Sequence, residues 1–234
     1  MPSEEPLFPR IQVASDHSLL VTFSNRISRA DHAKVARLFS LLHADQDPAI
    51  MNIHPAYSSV LISFDPLAKG PEKMEAYLRS LLLRIRPSET ESARVVEIPV
   101  CYEPPFGPDL EFVASHNKMT PESVVHLHTS TKYLVYFLGF APGFPYMGEL
   151  PKQLETPRLA SPRVEIPAGS VAIGGSQTGI YPIASPGGWR IIGRTPLEMF
   201  NPNNVPPTFL TMGDLVQFRT ISSQEFQTMR SGVQ

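Results

Sequence analysis

The chain has 234 residues, with 20 Lys plus Arg against 22 Asp plus Glu and a formal charge of −2, so its charge does not point to nucleic acid as a partner. That length accommodates one large or two small domains with a core that needs no staple, and the single cysteine, Cys101, excludes an intramolecular disulfide framework and a Cys-rich zinc site. No apolar run approaches the ~18 residues of a membrane span. The acidic, proline-broken start MPSEEPLFPR does not read as a signal peptide, so the expectation is a cytoplasmic protein with no membrane partner.

Residues 10–15 and 19–23 read as strands, with Leu19, Val21 and Phe23 on one face. Ser28 reads as a helix N-cap with Asp31 three residues on, and Val35, Leu38, Leu41 and Leu42 follow at helical spacing, which predicts a helix over 28–44. A second strand pair covers 50–55 and 57–64. Pro71 then suits a first helical turn, and Met74, Tyr77, Leu78, Leu81, Leu82 and Ile85 form an apolar stripe that Pro87 stops. This β-β-α-β-β-α order predicts an α+β N-terminal domain over residues 1–90, helices on one face of a mainly antiparallel sheet. The polar stretch 88–92 reads as the linker, and residues 91–234 as a mainly-β second domain.

The second domain is expected to begin with a strand over 95–101, an edge strand on account of Pro99, which places Cys101 as a small core hydrophobe. Pro108 and Asp109 start a short helix. Thr120 caps another, with Pro121 at its first position. The run KYLVYFLGF, 132–140, reads as a buried strand. Short apolar runs at 164–166, 170–173, 179–183, 189–193 and 214–219 alternate with Gly/Pro turns, the signature of a closed or nearly closed barrel. A short helix over 222–230 ends the reading.

Residues 139–193 hold 10 of the 14 glycines, the only tryptophan, and no His, Cys or Asp. That inventory suits holding an anion or a planar polar group better than moving protons. Two readings fit its glycines and prolines: barrel corners, or turns that present aromatics, most clearly in GFAPGF and SPGGW. Two readings also fit Arg158 and Arg163, each preceded by proline: rim arginines in solvent or salt bridges, or a pair of guanidinium forks for an anion. The segment GGSQTG lacks the lysine of a phosphate loop and the last glycine of a nucleophile elbow around Ser176, so any ATP chemistry falls to another chain. His126 and His128 are spaced H-x-H, but no further His, Cys or acidic cluster completes a zinc site, and no metal is assigned. His126 reads as a helix-end surface residue and His128 as one that packs or hydrogen-bonds at the barrel entrance, yet His128 is also the best acid–base candidate, placed to lean over the GFAPGF turn.

The series FGPDLEFVA, VVHLHTSTKYLVYFLGFAPGFPYMGELP, TPRLASPRVEIPAGSVAIGGSQTGIYPIASPGGWRIIGRTP and MGDLVQF resembles the family of 5-oxoprolinase B subunits, also known as the Kip-type kinase inhibitor and allophanate hydrolase subunit 1 family. The resemblance runs from about residue 7 to 221, and Met147 stands where a Leu is expected. It implies a small α/β domain followed by a cyclophilin-like barrel, and work alongside sister A and C subunits. It implies an enzyme subunit, inactive alone, of a complex that uses ATP, bound mainly by a partner, to open 5-oxo-L-proline to L-glutamate. Family alternatives are inhibition of a sporulation-type histidine kinase, or a carboxyltransferase subunit of a biotin-dependent urea or amide carboxylase. On these motif positions the expected pocket has Phe140, Phe144, Tyr181 and Trp189 as walls. Arg158, Arg163 and the backbone of Gly174, Gly175 and Gln177 hold the anionic part, and His128 handles a proton. The sequence sets no oligomeric state, homo-oligomers included.

Overall fold

A computed structural model describes residues 7–85 and 93–231. The chain divides into two compact units, Met1–Ser92 and Ala93–Gln234.

The first unit runs β1 (Arg10–Ser15), β2 (Ser18–Thr22), α1 (Arg29–Asp45), β3 (Ile50–Pro55), β4 (Ser59–Phe64) and α2 (Pro71–Leu82). The strands form one antiparallel sheet in the order β1-β2-β4-β3. Period-2 alternation sends Val60, Ile62 and Phe64 of β4 to the buried face. There they meet Val35, Leu38 and Leu42 of α1 and Met74 and Leu78 of α2 in one core. The α1 start is a capping arrangement: the Asp31 amide donates to Ser28 Oγ at 3.1 Å, and that hydroxyl donates to the Asp31 carboxylate at 2.8 Å. Helix α2 ends at Leu82. The expected stop at Pro87 and the expected linker at 88–92 lie outside the described residues.

The second unit contains β5 (Val95–Val100), α3 (Leu110–His116), α4 (Pro121–Ser130), β6 (Lys132–Leu138), β7 (Pro145–Gly148), β8 (Arg163–Ile166), β9 (Ser170–Gly174), β10 (Gln177–Ile180), β11 (Ser185–Gly187), β12 (Arg190–Arg194), β13 (Leu215–Thr220) and α5 (Ser223–Ser231). Seven strands form one sheet in the order β12-β9-β10-β7-β6-β13-β5. Its two end strands meet where Cys101 and Arg194 exchange backbone hydrogen bonds of 2.8 and 2.9 Å, so the sheet is a nearly closed barrel. Cys101 is a free, buried cysteine at this seam. Strand β5, expected at an edge, ends the sheet order and pairs along its length with β13, in parallel. Strands β8 and β11 make a separate two-stranded ribbon.

Side chains on alternate positions of the barrel wall belong to two different cores. Val171 and Ile173 of β9 and Ile192 of β12 join Val100, Tyr133, Val135 and Val216 inside. Ala172 and Ile191 face the other way, into a cluster with Phe144, Tyr181, Trp189 and Ile166 of the ribbon. The second cluster is thus packed between the outer face of the wall and the β8–β11 ribbon.

Two strands escape the sequence reading. β7 opens on Pro145 and closes on Gly148, and β11 is Ser-Pro-Gly, so neither is long enough to show alternation. The strand expected over 132–140 stops at Leu138, because Phe140 takes the left-handed conformation, φ +66°. Among the described residues no helix is long and apolar enough to cross a membrane.

Candidate functional site

The outer cluster is an aromatic shelf. Phe144 lies at its centre, edge-on to Tyr181 (ring centroids 5.1 Å apart), Trp189 (5.5 Å) and Phe140 (5.6 Å). Tyr146 packs at 5.0 Å from Phe144 and 5.9 Å from Trp189, and stacks on Phe137. These edge-to-face contacts are the favourable geometry for ring quadrupoles. Phe140 forms the lip. The GFAPGF turn is closed by Gly139 N–H to Phe144 O (3.1 Å) and Phe144 N–H to Ala141 O (3.0 Å), and it leaves Phe140 64% exposed on a strained backbone. An exposed aromatic held in that conformation is a feature that barrel packing does not require.

Three glycines of the motif segments act as seats for these rings. A Cβ on Gly174 would lie 2.6 Å from the Trp189 indole, one on Gly179 would lie 2.8 Å from Phe144, and one on Gly187 would lie 2.4 Å from the Tyr181 hydroxyl. Glycine in a strand marks a close approach, and here the approaching groups are the shelf itself. Its rings settle onto bare backbone.

The sequence-predicted polar residues part company. Arg158 stands with its Cζ 5.5 Å from the Trp189 ring centroid, exposed, and no carboxylate lies within ion-pair distance of it among the described residues. Its charge reaches both tyrosines: burial raises the Tyr146 and Tyr181 hydroxyls above the usual phenol value, and Arg158 pulls them the other way. Arg163 is committed elsewhere. Its guanidinium donates two 2.9 Å hydrogen bonds to the buried carboxylate of Asp109, which also accepts the Ile191 amide at 2.7 Å. A fork satisfied by its own chain is not open to a ligand anion, so the expectation for Arg163 is corrected: it ties the ribbon to the barrel.

The 174–177 segment is likewise no open nest of amides. Gln177 and Gly174 pair across a tight hairpin, and the Gly175 amide donates to Thr156 O at 2.8 Å. With that donor spent, the hairpin serves as the bed of Trp189 rather than an anion cradle.

His128 does not reach the GFAPGF turn. On α4, His126 points to solvent while His128, two residues on, is buried in the barrel. Its ring stacks on Phe218 at 4.5 Å. Thr178 Oγ1 donates to Ala172 O (3.1 Å), so the same hydroxyl must accept the His128 Nε2–H (3.1 Å), and Nδ1 is left to accept the Tyr102 hydroxyl proton (2.8 Å). Burial pushes the imidazole down to about 3, which keeps it neutral with this tautomer fixed. Among the described residues no three His, Cys, Asp or Glu side chains are grouped to hold a metal ion.

Sequence reasoning missed two members of this region. Tyr146 lies in the short β7. Asp109 reads only as the start of a short helix; it sits at the N-cap position, where its side chain makes no cap hydrogen bond and turns to Arg163. The only local signal for that would be an acidic residue between prolines and an apolar run.

With this geometry in place, comparison assigns the class. Residues 9–210 match the family described as carboxyltransferase domain, subdomain C and D. The chain is 38% identical over 231 residues to the 5-oxoprolinase B subunit of Bacillus subtilis (strain 168), covering 94% of this chain and 96% of that one. It is 56% identical over 130 residues to the 5-oxoprolinase B subunit of Escherichia coli O157:H7, covering 56% of this chain and 59% of that relative's length. The chain belongs to the family of 5-oxoprolinase B subunits. The crystal structure of the K. lactis urea amidolyase shares the fold, with a TM-score of 0.79 at 21% identity over 97% of this chain and 16% of that one.

Proposed function

We propose that the chain is the B subunit of a 5-oxoprolinase complex: with sister A and C subunits it uses ATP to open the lactam of 5-oxo-L-proline to L-glutamate. In this reading the two units are an α+β domain over residues 1–90 and a cyclophilin-like barrel over 91–234. A partner binds the nucleotide, since this sequence carries no phosphate-loop motif. The chain contributes to a shared substrate pocket and has no turnover alone.

The observation that carries the reading is Arg158, a guanidinium with no ion-pair partner among the described residues, beside an aromatic shelf. The substrate is a small planar ring bearing a carboxylate. Phe140, Phe144, Tyr181 and Trp189 offer ring faces and edges to the lactam, and Arg158 offers its fork to the carboxylate. Such a surface orients and desolvates; it supplies no general base. His128, Arg163 and the 174–177 backbone therefore support the shelf without touching substrate.

The test is ATP-dependent glutamate release from 5-oxo-L-proline by the three subunits, with and without this chain, and with Arg158→Gln in its place. Glutamate is expected only from the complete mixture, with Arg158→Gln lowering kcat/KM at least about tenfold, the loss of one charge-assisted contact. Unchanged turnover in the variant overturns the pocket; no glutamate from the complete, folded mixture overturns the activity.

A further inference from the structure

A separate cavity of about 480 Å³ opens on the barrel, and none of Phe140, Phe144, Arg158 or Trp189 lines it. Its wall mixes apolar groups, Pro182, Ile183, Leu197 and Phe200, with polar ones, and two cations share it, Arg194 and Arg230. Arg194 ends β12, where its backbone closes the barrel seam with Cys101. Its Nε donates to Ala168 O at 2.7 Å, which fixes the plane of the guanidinium at the wall. It is half-buried, and no carboxylate lies within ion-pair distance of either arginine among the described residues. The acid on the wall, Glu198, accepts instead from the Asn201 amide at 2.9 Å. Burial lowers the proton affinity of Arg194, and the charge of Arg230 lowers it further, so the two guanidinia lie close enough to repel.

Two guanidinia share this wall, Arg194 half-buried and Arg230 exposed, and their mutual repulsion is a cost. An anion between them removes it. We propose that this cavity binds a small organic anion, a carboxylate carried on a compact apolar body, with Arg194 supplying the oriented fork and Arg230 the second charge. The volume lies within the range of small-molecule sites. The apolar part of the wall favours a carboxylate on a hydrocarbon body over inorganic phosphate, which leaves Ile183, Leu197 and Phe200 without a partner. The site goes beyond the shelf reading and does not depend on it.

The test is calorimetric titration of the full chain with benzoate, with benzamide and inorganic phosphate as comparators. Saturable benzoate binding is expected, at least about tenfold tighter than either comparator. Arg194→Gln should weaken it at least about tenfold. Arg230 is exposed on α5, so its replacement leaves the fold intact; Arg230→Glu places a carboxylate beside Arg194 and should abolish benzoate binding. Arg158→Gln should change benzoate affinity by less than about twofold, which separates this site from the shelf. Absence of saturable benzoate binding, equal affinity for benzamide, or wild-type affinity in both Arg194→Gln and Arg230→Glu overturns the proposal. Loss of binding in Arg158→Gln also overturns it, by relocating the anion to the shelf.

Discussion

Inside the barrel, His128 spends both ring nitrogens on Tyr102 and Thr178 and meets no solvent; on the outer face, Arg158 stands over Trp189 with no carboxylate beside it among the described residues. The two residues come from the same unit and both looked like chemistry in the sequence. The wall between them sorts them by burial. Leaving a buried polar group unpaired costs about 1–3 kcal/mol, and the His128 ring on the inner side avoids that cost with partners from its own chain. A polar group on the outer side keeps its water and can exchange it for a ligand. Arg163, five residues from Arg158, shows the same division on a shorter scale: its fork is closed on Asp109, and it serves structure.

The largest effect that can break this contrast is expected at Asp109. Asp109→Ala removes the carboxylate that holds Arg163 and the Ile191 amide. Since Arg163 keeps 32% of its side chain in water, the cost is expected at about 2–3 kcal/mol rather than the full buried-pair value, read as the midpoint shift in urea unfolding. A cost near zero would mean that Arg163 is as free as Arg158. Next is Gly174→Ala. Its Cβ would intrude to 2.6 Å of the indole, so about 1–3 kcal/mol of overpacking is expected. Because Trp189 is the only tryptophan, the displaced ring should also shift the protein's intrinsic emission.

His128 sharpens the contrast through pH. Its ring titrates at about 3 in the fold against 6.5 for the free side chain, so the unfolded chain takes up the proton first. Its contribution to stability is fully present above about pH 6.5 and declines as pH falls towards 3, by about 1.4 kcal/mol per pH unit. Nitrogen NMR of the imidazole should show a neutral, Nε2-protonated ring at pH 5; a ring that titrates near 6.5 would place it in contact with solvent. The smallest effect is expected at Arg158. Arg158→Gln should change folding stability by less than about 0.5 kcal/mol, an exposed cation–π contact, even as it lowers turnover of the complex.

What the sequence reveals of this fold follows from how local the signals are. α1 and α4 are legible because Ser28 and Thr120 cap them through hydrogen bonds three residues away, and the α2 stripe needs only its own periodicity. The shelf aromatics are legible as rings beside rigid turns. The fates of Arg163 and Asp109 are not, because their bond spans 54 residues and leaves no trace in either neighbourhood. The 174–177 glycines are misread for a related reason: a flexible backbone suggests an anion cradle, but the group that comes close is an indole from another part of the chain. His128 is legible as a packed or hydrogen-bonded histidine, but the same neighbourhood also suggests one that reaches the GFAPGF turn, which it does not. Its depth depends on Tyr102, Thr178 and Phe218, which come from separate parts of the chain.

The parallel pairing of β5 with β13 has a consequence for biosynthesis. Arg94, just before β5, grips Asp214, just before β13, across 120 residues of sequence at 2.9 Å. A strand made early in this unit therefore waits for one made near its end. Until residues 215–220 emerge from the ribosome, β5 and β6 lack the neighbour that lies between them, and their apolar faces have no finished interior to enter. The barrel is thus expected to close late and all at once, and nascent chains halted before β13 should need chaperones that hold exposed strands.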